Sequence, residues 1–304
     1  MSHIEAIEII DAQIHEPWPG KPLDESMKDQ TSLWQVELAR EAMDAIGVDR
    51  ALAVTNESFI NLAHERFPGR FPGVHTLWHT HPDLASEVRR AHPAMVAGRA
   101  LVGDFINAVM RPEFAAGVFD PIYATAEEVG LPIFNSTHGG CAHMAAIAQR
   151  HPALVLIIDH IGVAQHPVSP PETMSWAPFE DLLALAHYPN IHVKLCGAPL
   201  LSQQTYPYED VWPNLNRLFQ SFGHERVLWG SDYTRLRSAD LPRGDRPRRR
   251  GVTYGENLNY LLHSGHLTHE QKALVLGGNA RRLFNLPSVS QDWGPPPMSW
   301  PAAR

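Results

Sequence analysis

The chain of 304 residues has only two cysteines, Cys141 and Cys196, far apart in sequence. No disulfide framework can be built from so few, and a reducing cytoplasm is the expected compartment. Apolar runs long enough to span a bilayer are missing. So is a charged leader followed by an apolar stretch, and a soluble, unexported protein is expected. A basic surplus is also absent: the formal net charge is −8, which argues against general nucleic-acid affinity. The basic run of Arg246, Arg248, Arg249 and Arg250 reads first as a solvated loop and second as an anion-binding lid. No glycine-rich dinucleotide fingerprint follows the first apolar run, and no internal repeat is found.

What the sequence does contain is alternation. Strand-like runs occur at Glu8 to Ile14, Ala51 to Thr55, Gly73 to Trp78, Ala100 to Ile106, Pro132 to Ser136, Leu154 to Asp159, Ile191 to Cys196 and Val227 to Ser231. Between them lie stretches of helical period, at Leu33 to Ile46, Ser58 to Phe67, Leu84 to Ala91, Pro121 to Val129, Ala142 to Arg150, Phe179 to His187 and Tyr208 to Phe222. Eight strand–helix units imply a parallel sheet closed into a TIM-type (β/α)8 barrel, with residues 1–286 as the barrel domain. A further helix is expected near Tyr254 to His263. Thr268 with Gln271 forms a capping box for another, which Gly277-Gly278 should end before a last helix over Asn279 to Phe284. Residues 287–304 read as a Pro-rich tail whose Trp293 and Trp300 suit packing on the barrel or on a second copy, so a homo-oligomer stays open.

In such a barrel the loops at the C-terminal ends of the strands carry the site. Polar residues gather there: Gln13 and His15 after the first strand, Ser136 and His138 after the fifth, His160 after the sixth, Asp232 after the eighth. Because side chains two apart in a strand share a face, Asp11, Gln13 and His15 should point one way and Ile10, Ala12 and Ile14 the other. His79 and His81 precede Pro82 in a turn, where a helix-entry role ranks above a metal role, although His81 can reach a substrate. Arg235 and Arg237 just past Asp232 suit an anionic ligand, since guanidinium binds carboxylate through paired hydrogen bonds. Lys194 suits an interior charge pair, and Cys196 suits packing.

With these residues in order, the chain resembles the amidohydrolase superfamily, and within it the group of aminocarboxymuconate semialdehyde decarboxylase, pyrone dicarboxylate lactonase and fuconolactonase-like hydrolases. The resemblance rests on Ile10-Asp11-Ala12-Gln13-Ile14-His15, Asp159-His160-Ile161-Gly162, Val193-Lys194-Leu195-Cys196-Gly197, Leu228-Trp229-Gly230-Ser231-Asp232 and Gly278-Asn279-Ala280-Arg281-Arg282-Leu283-Phe284. Metal-dependent relatives carry His-x-His on the first strand, whereas here the leading position is Gln13, a poor ligand for zinc. The usual fifth-strand His aligns with Ser136.

The resemblance therefore implies a hydrolase of a small carboxylate-bearing lactone or related ester, with no required cofactor. Asp232 would be the general base, His15 and His160 the groups that polarise the carbonyl, and Gln13, Ser136, His138, His81, Arg235 and Arg237 the substrate contacts. Two alternatives stay open. One is a metal-dependent non-oxidative decarboxylase of an aromatic or muconate-type acid; one divalent zinc or manganese ion, for this reaction or for the hydrolase, would sit on His15, His138, His160 and Asp232. The other is a catalytically lapsed ligand-binding barrel.

Overall fold

A computed structural model describes residues 7–17, 28–92, 94–104, 107–165, 174–236 and 251–288. Short aliphatic runs bounded by polar or glycine residues form eight parallel strands: β1 Ile10–Ile14, β2 Arg50–Ala53, β3 Val74–Leu77, β4 Ala97–Ala100, β5 Ile133–Asn135, β6 Leu156–Ile158, β7 Ile191–Leu195 and β8 Val227–Trp229. From β3 to β8 each strand pairs with the next. β1 pairs with β2, and a bridge between Ala53 and Gly73 joins β2 to β3. The ring closes where Asp232 N donates to Gln13 O at 2.9 Å. The expected (β/α)8 barrel is therefore present, and its closing bond already involves two of the site residues.

Two apolar layers hold it. Ile10, Ala12, Leu52, Val74, Ala97, Phe134, Ile157 and Leu228 meet inside the ring, where Phe284 closes the floor with its ring 5.7 Å from Phe134. The outer layer lies between strands and helices, and includes Ile14, Ala51, Ala53, Leu77, Ile133 and Leu195 with Val36, Phe59, Val88 and Leu218 from the surrounding helices. Helix starts follow their caps. Asn56 accepts from Phe59 N ahead of Glu57–Arg66, Asp83 accepts from Ser86 N ahead of Leu84–Ala91, and Thr268 with Gln271 forms the expected capping box.

Three expectations are corrected. The fourth strand begins at Ala97 rather than Ala100. Its interior residue Arg99 breaks the apolar run, and Gly103–Asp104 instead pairs antiparallel with Val109–Met110 in a hairpin over the mouth. On β1 the alternation fails, because Asp11 Oδ1 takes the Gln13 N–H at 3.0 Å and the register shifts between Asp11 and Ile14. Ile10 and Ala12 thus face the barrel interior, Asp11 turns to Ser231, and Gln13 and His15 regain the interior. Finally, Gly277 and Gly278 end nothing: a π-helical turn, Leu274–Gly278, runs straight into the helix Asn279–Leu283. Gly277 serves close packing instead, since a Cβ there would lie 2.1 Å from Glu8 O.

Candidate active site

Gly230, Ser231 and Asp232 follow the end of β8. Asp11 fixes this turn from the first strand by accepting from Ser231 N at 2.7 Å and from the Ser231 hydroxyl, and burial pushes the Asp11 carboxyl up to about 6 despite these donors. The Ser231 anchor presents Asp232 at the mouth. There its Oδ1 lies 3.3 Å from His15 Nε2 and its Oδ2 3.3 Å from His160 Nε2. All three residues are largely buried. Burial alone would raise the Asp232 carboxyl, but the two imidazoles overcome it and hold the group well below the usual carboxylate range. Burial also lowers His15, against the opposing pull of Asp232, and this favours a neutral ring.

Backbone strain concentrates at the same place. His138, His160 and Asp232 all have positive φ, at 47°, 54° and 49°. For residues other than glycine this costs about 1–3 kcal/mol each and collects where side-chain aim matters more than backbone comfort. His138 Nε2 meets Ser136 Oγ at 2.9 Å, and its ring stacks toward His160 at 6.4 Å. The hairpin over the mouth buttresses this corner: Gly103 N donates to Ser136 O at 2.7 Å, and a Cβ on Gly103 would lie 2.5 Å from Thr137 O.

Beneath the mouth runs a buried polar chain. Lys194 Nζ, from β7, lies 2.7 Å from Asp159 Oδ1 and donates to Gln13 Oε1 at 2.7 Å, while sitting 3.6 Å from the centre of the Phe134 ring. Asp159 also accepts from Arg99 Nε at 2.9 Å. Burial would raise Asp159, but Lys194 and Arg99 outweigh it and keep the carboxylate ionised far below its ordinary range. Gln13 Nε2 then lies 3.3 Å from His15 Nε2, linking this chain to the Asp232 group.

Of the residues expected from sequence, Gln13, His15, Ser136, His138, His160 and Asp232 are brought together. His81 is not. Its Nδ1 contacts Asp83 O at 2.9 Å and its Nε2 faces Glu87, so it belongs to the entry of the helix Leu84–Ala91. Arg235 lies at the rim with NH2 donating to Glu16 Oε1 at 3.0 Å, and Glu16 in turn accepts from Thr55. Arg237 falls outside the described residues. Sequence reasoning missed Arg99, whose guanidinium is anchored through Nε to Asp159. A lone arginine between Gly98 and Ala100 was the available signal. Cys196 is no nucleophile, since burial pushes its thiol well above the ordinary value.

Among the described residues no group of three or more His, Cys, Asp and Glu is arranged to hold a metal ion. Gln13 Oε1 is committed to Lys194, so an NH2 group rather than an oxygen faces His15.

Known proteins agree with this architecture. A 4-sulfomuconolactone hydrolase of Hydrogenophaga intermedia is 26% identical over 255 residues, covering 80% of this chain and 76% of its own length. An L-fucono-1,5-lactonase of Burkholderia ambifaria is 30% identical over 154 residues, 49% of this chain and 48% of the relative. Among solved structures, a putative 2-pyrone-4,6-dicarboxylic acid hydrolase of Pseudomonas putida superposes with a TM-score of 0.65 at 18% identity, covering 92% of this chain and 98% of that one. A zinc-bound amidohydrolase of Burkholderia multivorans superposes with a TM-score of 0.69 at 18% identity, covering 92% and 100%. The amidohydrolase family model matches residues 10–286, nearly the whole described barrel, and the chain belongs to that family.

Proposed function

We propose that the chain hydrolyses a small lactone bearing a carboxylate, with Asp232 as general base. The observation that carries this reading is the placement of Asp232 between two imidazoles at the barrel mouth, each nitrogen 3.3 Å from a different carboxylate oxygen. An ionised, buried carboxylate held in this way can take a proton from water without first losing one of its own. Water oxygen attacks the lactone carbonyl carbon as its proton passes to Asp232, giving a tetrahedral oxyanion. His160, beside Asp232, and His138, stacked toward it at 6.4 Å, are the donors this reading assigns to that oxygen. Collapse breaks the ring C–O bond, the leaving oxygen receives the proton from Asp232, and an open-chain acid with a new carboxylate is released.

The substrate's own carboxylate needs a cation. Among the described residues, Arg99 and Arg235 both bear electrostatically on His15. Arg99 is the better placed, because Asp159 holds its Nε and the fork is thereby oriented, whereas Arg235 already pairs with Glu16. The names of the lactone-hydrolysing relatives support this substrate class. At the position where metal-dependent relatives carry a His, the Gln13 amide turns its donor side toward His15 and offers no ligand atom to a divalent ion. No step is therefore routed through a metal.

The test is a panel of carboxylated and neutral lactones followed by acid release at constant pH, run beside aromatic acids assayed for carbon dioxide. Ring opening restricted to carboxylated lactones is the expected result. Carbon dioxide release without ring opening would replace this reading with decarboxylation.

A further inference from the structure

Lys194 is completely buried and lies between Asp159 and Gln13. An ammonium has donors and no acceptor, so it settles the orientation of the Gln13 amide: the oxygen faces Lys194 and the NH2 faces His15 Nε2 at 3.3 Å. The same His15 nitrogen lies 3.3 Å from Asp232 Oδ1. One ring nitrogen cannot both accept from Gln13 and donate to Asp232. The geometry favours the first, since Gln13 Nε2 meets His15 Nε2 in hydrogen-bond geometry whereas Asp232 Oδ1, at the same distance, has no partner in such geometry.

We propose that Lys194 is a positioning residue that acts through Gln13: it holds His15 in the tautomer with an unprotonated Nε2, which leaves Asp232 Oδ1 open to the proton of the attacking water. Once Asp232 is protonated, its O–H has the His15 Nε2 lone pair as an acceptor, so the same arrangement that frees the base also steadies its conjugate acid. Without the Lys194 charge behind it, the Gln13 amide can rotate and present its oxygen. His15 Nε2 then carries a proton, which covers Oδ1 and blunts the base. The inference rests on the lactone reading for its kinetic consequence and on geometry alone for the tautomer.

The experiment uses full-length enzyme with 15N-labelled histidine and reads the His15 ring by long-range proton–nitrogen correlation, with His15→Gln supplying the assignment. Gln13→Glu is the informative variant, because it keeps the pairing with Lys194 and replaces the NH2 donor facing His15 by an acceptor oxygen. The expected wild-type His15 has a bare Nε2 and a protonated Nδ1, and Gln13→Glu has the reverse. Lys194→Met should reproduce Gln13→Glu. In both, kcat on a lactone that the wild type opens should fall about 10-fold to 100-fold, the usual worth of a supporting shell, with KM little changed. The double variant should be no worse than either single one. A protonated Nε2 in the wild type, or a tautomer unaltered by Gln13→Glu, overturns the proposal even if lactones are opened. Failure to open any lactone removes the functional reading and leaves the tautomer to decide.

Discussion

Replacing Arg99 by Met is the perturbation that best separates substrate anchoring from fold maintenance. The side chain is about nine-tenths buried, and its Nε donates to Asp159 Oδ2 at 2.9 Å. Met fills much of the same volume, and Lys194 at 2.7 Å still compensates Asp159, so the barrel should keep its cooperative transition. What is lost is a cation for the substrate carboxylate. A charge-assisted hydrogen bond contributes about 1.5–3 kcal/mol, and a factor of ten in affinity corresponds to about 1.4 kcal/mol. Arg99→Met should therefore raise KM about 10-fold to 150-fold for a carboxylated lactone, with kcat much less affected. The assay is steady-state ring opening of matched carboxylated and neutral lactones, with melting followed on the same preparations. Equal losses on both substrates, or a loss confined to kcat, would refute the assignment of Arg99 as the anion anchor.

Gly277→Ala should destabilise the barrel, although the residue is helical and Ala is the better helix former by about 1 kcal/mol, because the new Cβ would meet Glu8 O at 2.1 Å. Gly265→Ala, with nothing within 4 Å, is the neutral control, and the order of the two melting temperatures checks the argument. Asp159 has a depressed folded-state pKa, so the stability from its pairing is fully present above the unfolded carboxylate value near 3.9 and is lost as pH falls through the lower folded value. Urea unfolding of wild type and an Asp159→Asn/Lys194→Met double variant should show this contribution as a steeper acid loss in the wild type alone. Ring opening should survive dialysis against a chelator, with elemental analysis showing no stoichiometric metal; loss of activity restored by zinc or manganese would contradict the donor-set argument.

The barrel was legible because each strand is a short aliphatic run between helical periods, and that pattern survives small errors in its boundaries. The fourth strand shows where the pattern fails. Arg99, paired with Asp159, and Gly98, packed against Leu77 and Ile133, interrupt an apolar run, and local hydrophobicity assigns the strand to the residues beyond them. The first strand fails differently. Its alternation would have put Asp11 beside Gln13 and His15, but Asp11 is committed to Ser231, 220 residues away, and captures the Gln13 amide to shift the register. No local signal contains such a partner. Gln13, His15, Ser136, His138, His160 and Asp232 could be chosen because strand ends face one mouth. The partnership of Lys194 with Asp159 and Gln13 joins β7, the turn after β6 and β1, and becomes visible only when the ring is closed.

The central claim is that Asp232 activates water, and Asp232→Asn measured on an opened lactone tests it most directly. The substitution keeps the side-chain shape at φ 49°, where asparagine is among the residues that tolerate a left-handed backbone. With a positioned general base removed, kcat should fall by about two to four orders of magnitude while the melting temperature and substrate binding change little. A folded Asp232→Asn enzyme that opens the lactone at the wild-type rate would contradict the account.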